Sequence, residues 1–332
     1  MSERPGSGSK VRVAVVGVGD FGRNHVRVYR ELADAELVGV VDIHAPRAGQ
    51  VAAEFSVPIL PDLEALAGRV DAASVAVPTL DHARVGCQLL EQGIDVLVEK
   101  PMAASLAEAD ALIAAARRNG RVLQVGHLER FNPAVVAVEK VVARPLFFEV
   151  HRLGVFSPRS LDIDVVYDVM IHDLDILLAL VGAPVADLKA VGIPVLSDKV
   201  DIAHARLEFQ SGAVANLTAS RVSTERVRKM RFFQQHEYIS LDYTRQDVLR
   251  VRVRQLTPQP QFDFEKLPTQ PEEPLRAELR AFLGAVRARG VPRVDGAAGR
   301  RALELADRVM AGILEHARRV QVSAFAVPQA SG

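Results

Sequence analysis

Two rhythms of apolar and polar positions run along the 332-residue chain. From Val11 to about Val125, short, nearly unbroken apolar runs alternate with stretches whose apolar residues recur every three or four positions. The runs VRVAVV (11–16), ELVGVV (36–41), AASVAV (72–77), DVLV (95–98) and VLQV (122–125) predict buried strands. Residues 22–33, 46–54, 80–92 and 105–118 predict the helices between them. Strands that lack polar alternation, each followed by a helix, predict a doubly wound parallel sheet covered on both faces.

After Phe131 the runs lengthen and begin to alternate. PLFFEVHRLGVF, IAHARLEFQSGAVANLTASRV and YISLDYTRQDVLRVRV predict a large, mainly antiparallel sheet with one open face, part of an α+β domain. Helices are expected over Tyr167 to Gly182, over 275–288 and over 297–318, and the Pro- and Gln-rich stretch 257–274 reads as a loop. The expected division is a disordered lead-in (1–10), a dinucleotide-binding α/β domain (11–128) and a second domain for substrate and oligomer contacts (129–330), with the boundary near 126–131.

Charge narrows the partners. Lys+Arg and Asp+Glu are both 41, so nothing in the balance points to nucleic acid or an anionic membrane. The polar MSERPGSGSK start has no apolar core of a signal peptide, and no apolar run is long enough to span a bilayer. A single cysteine, Cys87, excludes an internal disulfide and fits a reducing, cytoplasmic setting.

The first strand runs into GVGDFG, which sets Gly17, Gly19 and Gly22 in G-x-G-x-x-G spacing where a strand opens into a helix. The first glycine allows the tight turn, the second lets backbone approach a pyrophosphate, and the third lets helix and strand pack closely. Asp20 and Phe21 belong to the same turn. Asp42 closes the second strand 20 residues beyond Gly22, where a carboxylate meets the ribose hydroxyls and repels a 2′-phosphate. The expected cofactor is NAD rather than NADP, although His44 and Arg47 stand close by.

Ligands of such a sheet bind beyond the carboxyl ends of its strands. That edge receives Pro78, Thr79 and His82 from PTLDHA, and Glu99, Lys100 and Pro101 from EKP. The stretch YDVMIHDLDILLALVG adds a puzzle, because an otherwise apolar helix carries Asp168, His172, Asp173 and Asp175. On an α-helix 168, 172 and 175 share a face, and buried ionisable groups are costly unless paired or used. A structural Asp–His pair is one use. A metal site drawing on Asp168 or Asp173, His172 and His127 is another, but spacing fixes no third ligand, so no metal is expected.

Taken together, GVGDFGRNH, VAVPTLDHA, GIDVLVEKPMA and YDVMIHDLDIL resemble the glucose–fructose oxidoreductase/inositol 2-dehydrogenase (Gfo/Idh/MocA) family over nearly the whole chain. The resemblance implies a Rossmann domain joined to a domain with a large, mainly antiparallel sheet. It also implies NAD(P)-linked oxidation or reduction of a sugar or cyclitol carbinol, with Lys100, Asp168 and His172 as the catalytic set. GHLERFNPA with LDIDVVYDVMIHDLDI looks most like the nucleotide-sugar branch. That branch implies oxidation at the 3-hydroxyl of UDP-N-acetylglucosamine on the way to a 2,3-diamino sugar for lipid A. Its uronic acid, a free sugar or inositol are the alternative substrates, and a non-catalytic NAD-binding sensor is the alternative class. His127, Glu129, Arg130, Asn132, Arg152 and Arg159 become substrate-binding candidates, and a homodimer or homotetramer through the open sheet face is expected.

Overall fold

The computed structural model describes residues 10–156 and 163–320. The expected lead-in before Lys10 and the substrate candidate Arg159 lie outside the described residues. The chain divides into two compact units, one running to Phe131 and taking in Glu272–Leu303, the other comprising Asn132–Pro271 and the chain from Glu304 on.

Among the described residues, the first unit holds a five-stranded parallel sheet of β1 (Val11–Val16), β2 (Ala35–Val41), β3 (Ala72–Val75), β4 (Asp95–Glu99) and β5 (Leu123–Gly126), ordered β2-β1-β3-β4-β5. The crossover helices are α1 (Asp20–Glu31), α2 (Ala45–Phe55), α3 (Thr79–Glu91) and α4 (Leu106–Arg118). Strand order reverses between β1 and β3, and a crevice opens at that switch point. Ala76 and Val77, expected to extend β3, lie past its end. They become the floor of the glycine turn, described below.

The second unit contains α5 (Pro133–Glu139) and eight strands: β6 (Pro145–Val155), β7 (Val185–Ile193), β8 (Ile202–Phe209), β9 (Val214–Ser223), β10 (Val227–Gln234), β11 (Glu237–Asp242), β12 (Asp247–Gln255) and β13 (Gln261–Lys266). Their order among the described residues is β13-β12-β11-β10-β6-β9-β8-β7. All pairs are antiparallel except β6 with β9. The alternation reads cleanly in β8, where Ala203, Ala205, Leu207 and Phe209 are buried and His204, Arg206 and Glu208 are exposed. Phe148 and Phe232, opposite each other and fully buried, stack at 5.1 Å on the covered face.

Three expectations need correction. Within the stretch read as a loop, Gln261–Lys266 pairs with β12 as an edge strand, because the prolines flank it rather than interrupt it. The 167–182 helix is composite: a π-helical turn, Val166–Met170, leads into α6 (Ile171–Val181), which Gly182 ends in the left-handed conformation at φ 63°. A single cut near 129 also fails. The helix α7 (Pro274–Ala288) presents Leu275, Leu279, Phe282, Leu283 and Val286 to Val13, Val15, Val26 and Tyr29 in the first unit's core. Truncating one such buried leucine to alanine costs about 2–5 kcal/mol. The last helix, α8 (Gly296–Arg319), begins in the first unit, where a Cβ on Gly299 would stand 2.5 Å from Val125. From Glu304 on it belongs to the second, with Gly312 against Leu188 and Ala190.

Candidate active site

The three glycines do three different jobs. Gly17 donates its N–H to Val41 O at 2.8 Å and turns with φ +83°, and a Cβ there would meet Ala76 backbone at 2.7 Å. A Cβ on Gly22 would lie 1.9 Å from Gly17 O, so α1 can sit against the turn only with glycine there. Around Gly19 nothing is nearer than an Arg47 nitrogen at 3.5 Å. That open space faces the first turn of α1, whose N-terminus no side chain caps. The first-turn N–H groups, the helix dipole and the open space together suit an anion, as a cradle. Asp20 and Phe21, both exposed, border it.

Asp42 is fixed at the end of β2. One carboxylate oxygen accepts the Val18 N–H and the other the His44 N–H, both at 2.8 Å, and Arg47 Nε stands 3.5 Å away. His44 is occupied as the cap of α2, its Nδ1 accepting the Arg47 N–H at 3.2 Å. A cavity of about 540 Å³ adjoins, lined by Gly17, Gly19, Asp42, Ile43, Leu63 and Val77 among others. The donor set and the space fit a dinucleotide: Asp42 would hold its adenosine ribose and the turn at Gly19 would hold its pyrophosphate. Ile43, almost fully exposed, and Leu63 escaped the sequence reading. Leu63 arrives on the connection between α2 and β3, for which no motif gives a position.

At the strand ends the predicted residues part company. Pro78 precedes α3 and is exposed; Thr79 opens that helix and is half-buried. His82 and Glu99, expected to touch cofactor, turn inward instead. His82 is buried with Nδ1 2.9 Å from Pro101 O and Nε2 2.9 Å from Val77 O. Burial pushes its imidazole below the ordinary range, against the opposite pull of the two carbonyls. Glu99 is buried on the equally buried His25 of α1, Oε1 to Nε2 at 3.1 Å, and its other oxygen accepts the Lys100 N–H at 3.3 Å. Lys100 itself is half-buried. His25 is a polar residue that sequence reading missed, because one histidine in an amphipathic helix carries no local signal.

In the second unit the exposure of the helix sorts its four ionisable residues. Asp168, in the π-helical turn, and His172, in the first turn of α6, are half-buried, whereas Asp173 and Asp175 are buried. Single π-turns inside helices recur at functional sites, and this one carries Asp168 and ends two residues before His172. Arg152 and Asn132 are corrected. Arg152 Nε and Nη2 grip Asp173 at 2.7 and 2.8 Å, the guanidinium lies 4.6 Å over the Tyr243 ring, and Tyr243 Oη donates to Asp173 at 3.1 Å. Asn132 caps α5 through Ala134 N–H and donates to Tyr243 O at 3.0 Å. A charge this buried is held by its partner, not offered to a ligand. His127 and Glu129 are buried and Arg130 half-buried in the first unit. Among the described residues no group of three or more His, Cys, Asp or Glu is placed to hold a metal ion.

Comparison with known proteins fits this layout. Residues 11–127 match a family model described as the oxidoreductase family, NAD-binding Rossmann fold, and 149–238 match the GFO/IDH/MocA C-terminal domain. The chain belongs to the Gfo/Idh/MocA oxidoreductase family. It is 40% identical over 319 residues to the UDP-N-acetylglucosamine 3-dehydrogenase of Acidithiobacillus ferrooxidans, covering 95% of this chain and 98% of that protein. A solved structure of that enzyme matches with a TM-score of 0.86 at 39% identity over 92% of this chain and 98% of the other. The scyllo-inositol 2-dehydrogenase (NAD(+)) of Bacillus subtilis is 30% identical over 234 residues, 64% of this chain and 68% of that protein. Levoglucosan dehydrogenase, solved with NADH and levoglucosan, shares the fold at 18% identity, with a TM-score of 0.83 over 92% of this chain and 98% of the other. As a Gfo/Idh/MocA member, the chain is a dehydrogenase with an NAD-binding Rossmann domain.

Proposed function

We propose that this dehydrogenase oxidises the 3-hydroxyl of UDP-N-acetylglucosamine to a 3-keto sugar with NAD as acceptor. The observation that carries the reading is the 40% identity to a UDP-N-acetylglucosamine 3-dehydrogenase, spread over 95% of this chain and 98% of that one. The bound nicotinamide supplies an acceptor for the hydride that leaves C3. Loss of that hydride requires loss of the hydroxyl proton. The imidazole of His172 takes it as the general base. Lys100 donates a hydrogen bond to the same oxygen as charge develops there, and Asp168 orients the reacting hydroxyl or its partners. Asp42 favours NAD, since its carboxylate repels a 2′-phosphate.

The 3-keto product suits an aminotransferase, which would give the 2,3-diamino sugar of lipid A, in the cytoplasm where nucleotide sugars are made. Assembly uses a second copy on the open sheet face. Directly opposed positions there form an apolar row, Phe264–Val251–Tyr238–Phe233–Phe147–Val214, with Phe264 72% and Phe233 38% exposed.

The test offers NAD with UDP-N-acetylglucosamine, its uronic acid, glucose, N-acetylglucosamine and myo-inositol, following reduced cofactor optically and product by mass. A product lighter by the mass of two hydrogens from UDP-N-acetylglucosamine is expected. Turnover confined to free sugar or inositol overturns the assignment.

A further inference from the structure

We propose that two buried histidines, His25 of α1 and His82 of α3, are positioning residues that grip the chain on either side of Lys100. The inference rests on the reading of Lys100 as a group that handles the substrate oxygen. Glu99 and Pro101 flank that lysine directly. His25 holds the Glu99 carboxylate at 3.1 Å, and the same carboxylate accepts the Lys100 N–H at 3.3 Å. The carboxylate fits there because β5 ends in a glycine: a Cβ on Gly126 would come within 2.5 to 2.8 Å of its three terminal atoms. On the other side His82 stands 2.9 Å from Pro101 O and 2.9 Å from Val77 O.

Neither histidine is accessible enough to meet a ligand, at 0% and 1% exposure. Burying an imidazole is costly unless its nitrogens are used; His25 uses Nε2 on Glu99 and leaves Nδ1 without a partner among the described residues, whereas His82 spends both nitrogens on carbonyls. His82 is the sharper case. A neutral ring has one N–H and here faces two acceptors, an arrangement an apolar side chain would avoid. It links the segment after β4 to the segment after β3, and that second segment is the floor on which Gly17 packs through Ala76. His25 links the end of β4 to α1, whose N-terminus forms the anion cradle. Lys100 is thereby tied to both walls of the cofactor crevice, so its ammonium is set by the same elements that set the nicotinamide nucleotide.

The test compares full-length His25→Phe, His82→Phe, the polar variants His25→Asn and His82→Asn, and Leu279→Ala as a core control of lowered stability. Turnover, NADH affinity by fluorescence, and the pH midpoint for labelling of Lys100 by an amine-reactive reagent in the NADH-bound enzyme are read for each. The phenylalanine variants should lose about 10- to 100-fold in kcat, as small misplacements of catalytic groups do. NADH affinity should stay within about threefold and the Lys100 midpoint should move. The asparagine variants, which keep an N–H, should recover part of kcat, and Leu279→Ala should leave the midpoint in place. An unshifted midpoint with wild-type kcat in both phenylalanine variants overturns the positioning role of the two histidines; if those variants fail to fold, the same result in the asparagine pair does so. Lys100→Met separates the two layers, since full activity in that variant overturns the reading of the lysine whatever the histidines do.

Discussion

The two units treat their special residues in opposite ways. In the first, glycines at 17, 19 and 22 and a carboxylate at 42 keep one surface open, and that carboxylate holds two backbone N–H groups at 2.8 Å with Arg47 farther off at 3.5 Å. In the second, the charged residues close to the helix that bears Asp168 and His172 are consumed internally, with Arg152 locked on Asp173 and Arg221 on Asp201. Arg221 Nε donates to Asp201 at 2.7 Å. The other Asp201 oxygen accepts the N–H groups of Val195, Leu196 and Ser197. Burial alone would raise that carboxyl; the backbone donors, Arg221 and Ser197 outweigh it and hold it well below the usual range. Openness in one unit and mutual satisfaction in the other imply different responses to mutation: loss of ligand or chemistry in the first, loss of stability in the second.

The largest effect should come from Lys100→Met, which leaves NADH binding intact while kcat falls by about 10²–10³-fold, the usual worth of a donor aimed at an oxygen on which charge develops. Next, Arg152→Ala should destabilise by about 3–5 kcal/mol in urea unfolding by stranding a buried Asp173. Arg152→Met combined with Asp173→Leu should recover most of that loss. A raised KM at unchanged stability in Arg152→Ala would return this arginine to substrate binding and blur the contrast.

Gly22→Val forces a side chain into the space of Gly17 O, a clash of about 1–3 kcal/mol. NADH affinity should weaken by about 5- to 150-fold in fluorescence titration. The smallest effect concerns His82. Burial lowers its imidazole from 6.5, so the unfolded chain binds a proton that the folded chain refuses. Stability is then complete above that value and declines as pH falls through it toward the depressed folded value. The urea midpoint should fall with pH across that window, and less steeply in His82→Gln. His204, also lowered by burial and by His151, contributes in the same direction and remains in both proteins.

The contrast also explains what the sequence could reveal. The parallel sheet was legible because each strand is a Val-rich run of a few residues and each glycine role is encoded within six positions. The alternating strands β8 and β9 were legible from a different but equally local signal, apolar and polar residues at every second position. β13 was not, since prolines on both sides outweighed six residues whose pairing partner is remote. Arg152 and Asp173 are 21 positions apart, and His25 and Glu99 are 74. No local spacing distinguishes such a partner from a free charge, so Arg152 looked like a ligand and His82 like a cofactor contact. The division at Phe131 was visible as a change of rhythm. The return of Glu272–Leu303 to the first unit was not, because an amphipathic helix does not say which core it covers.

The most direct measurement follows the hydrogen itself, with UDP-N-acetylglucosamine deuterated at C3 and NAD as reactants and mass spectrometry of both products. The account predicts that the deuterium moves to the reduced cofactor and that the sugar nucleotide becomes a 3-keto compound without it. Reduced cofactor free of deuterium, or deuterium retained at C3 while NAD is reduced by another substrate, would contradict the account.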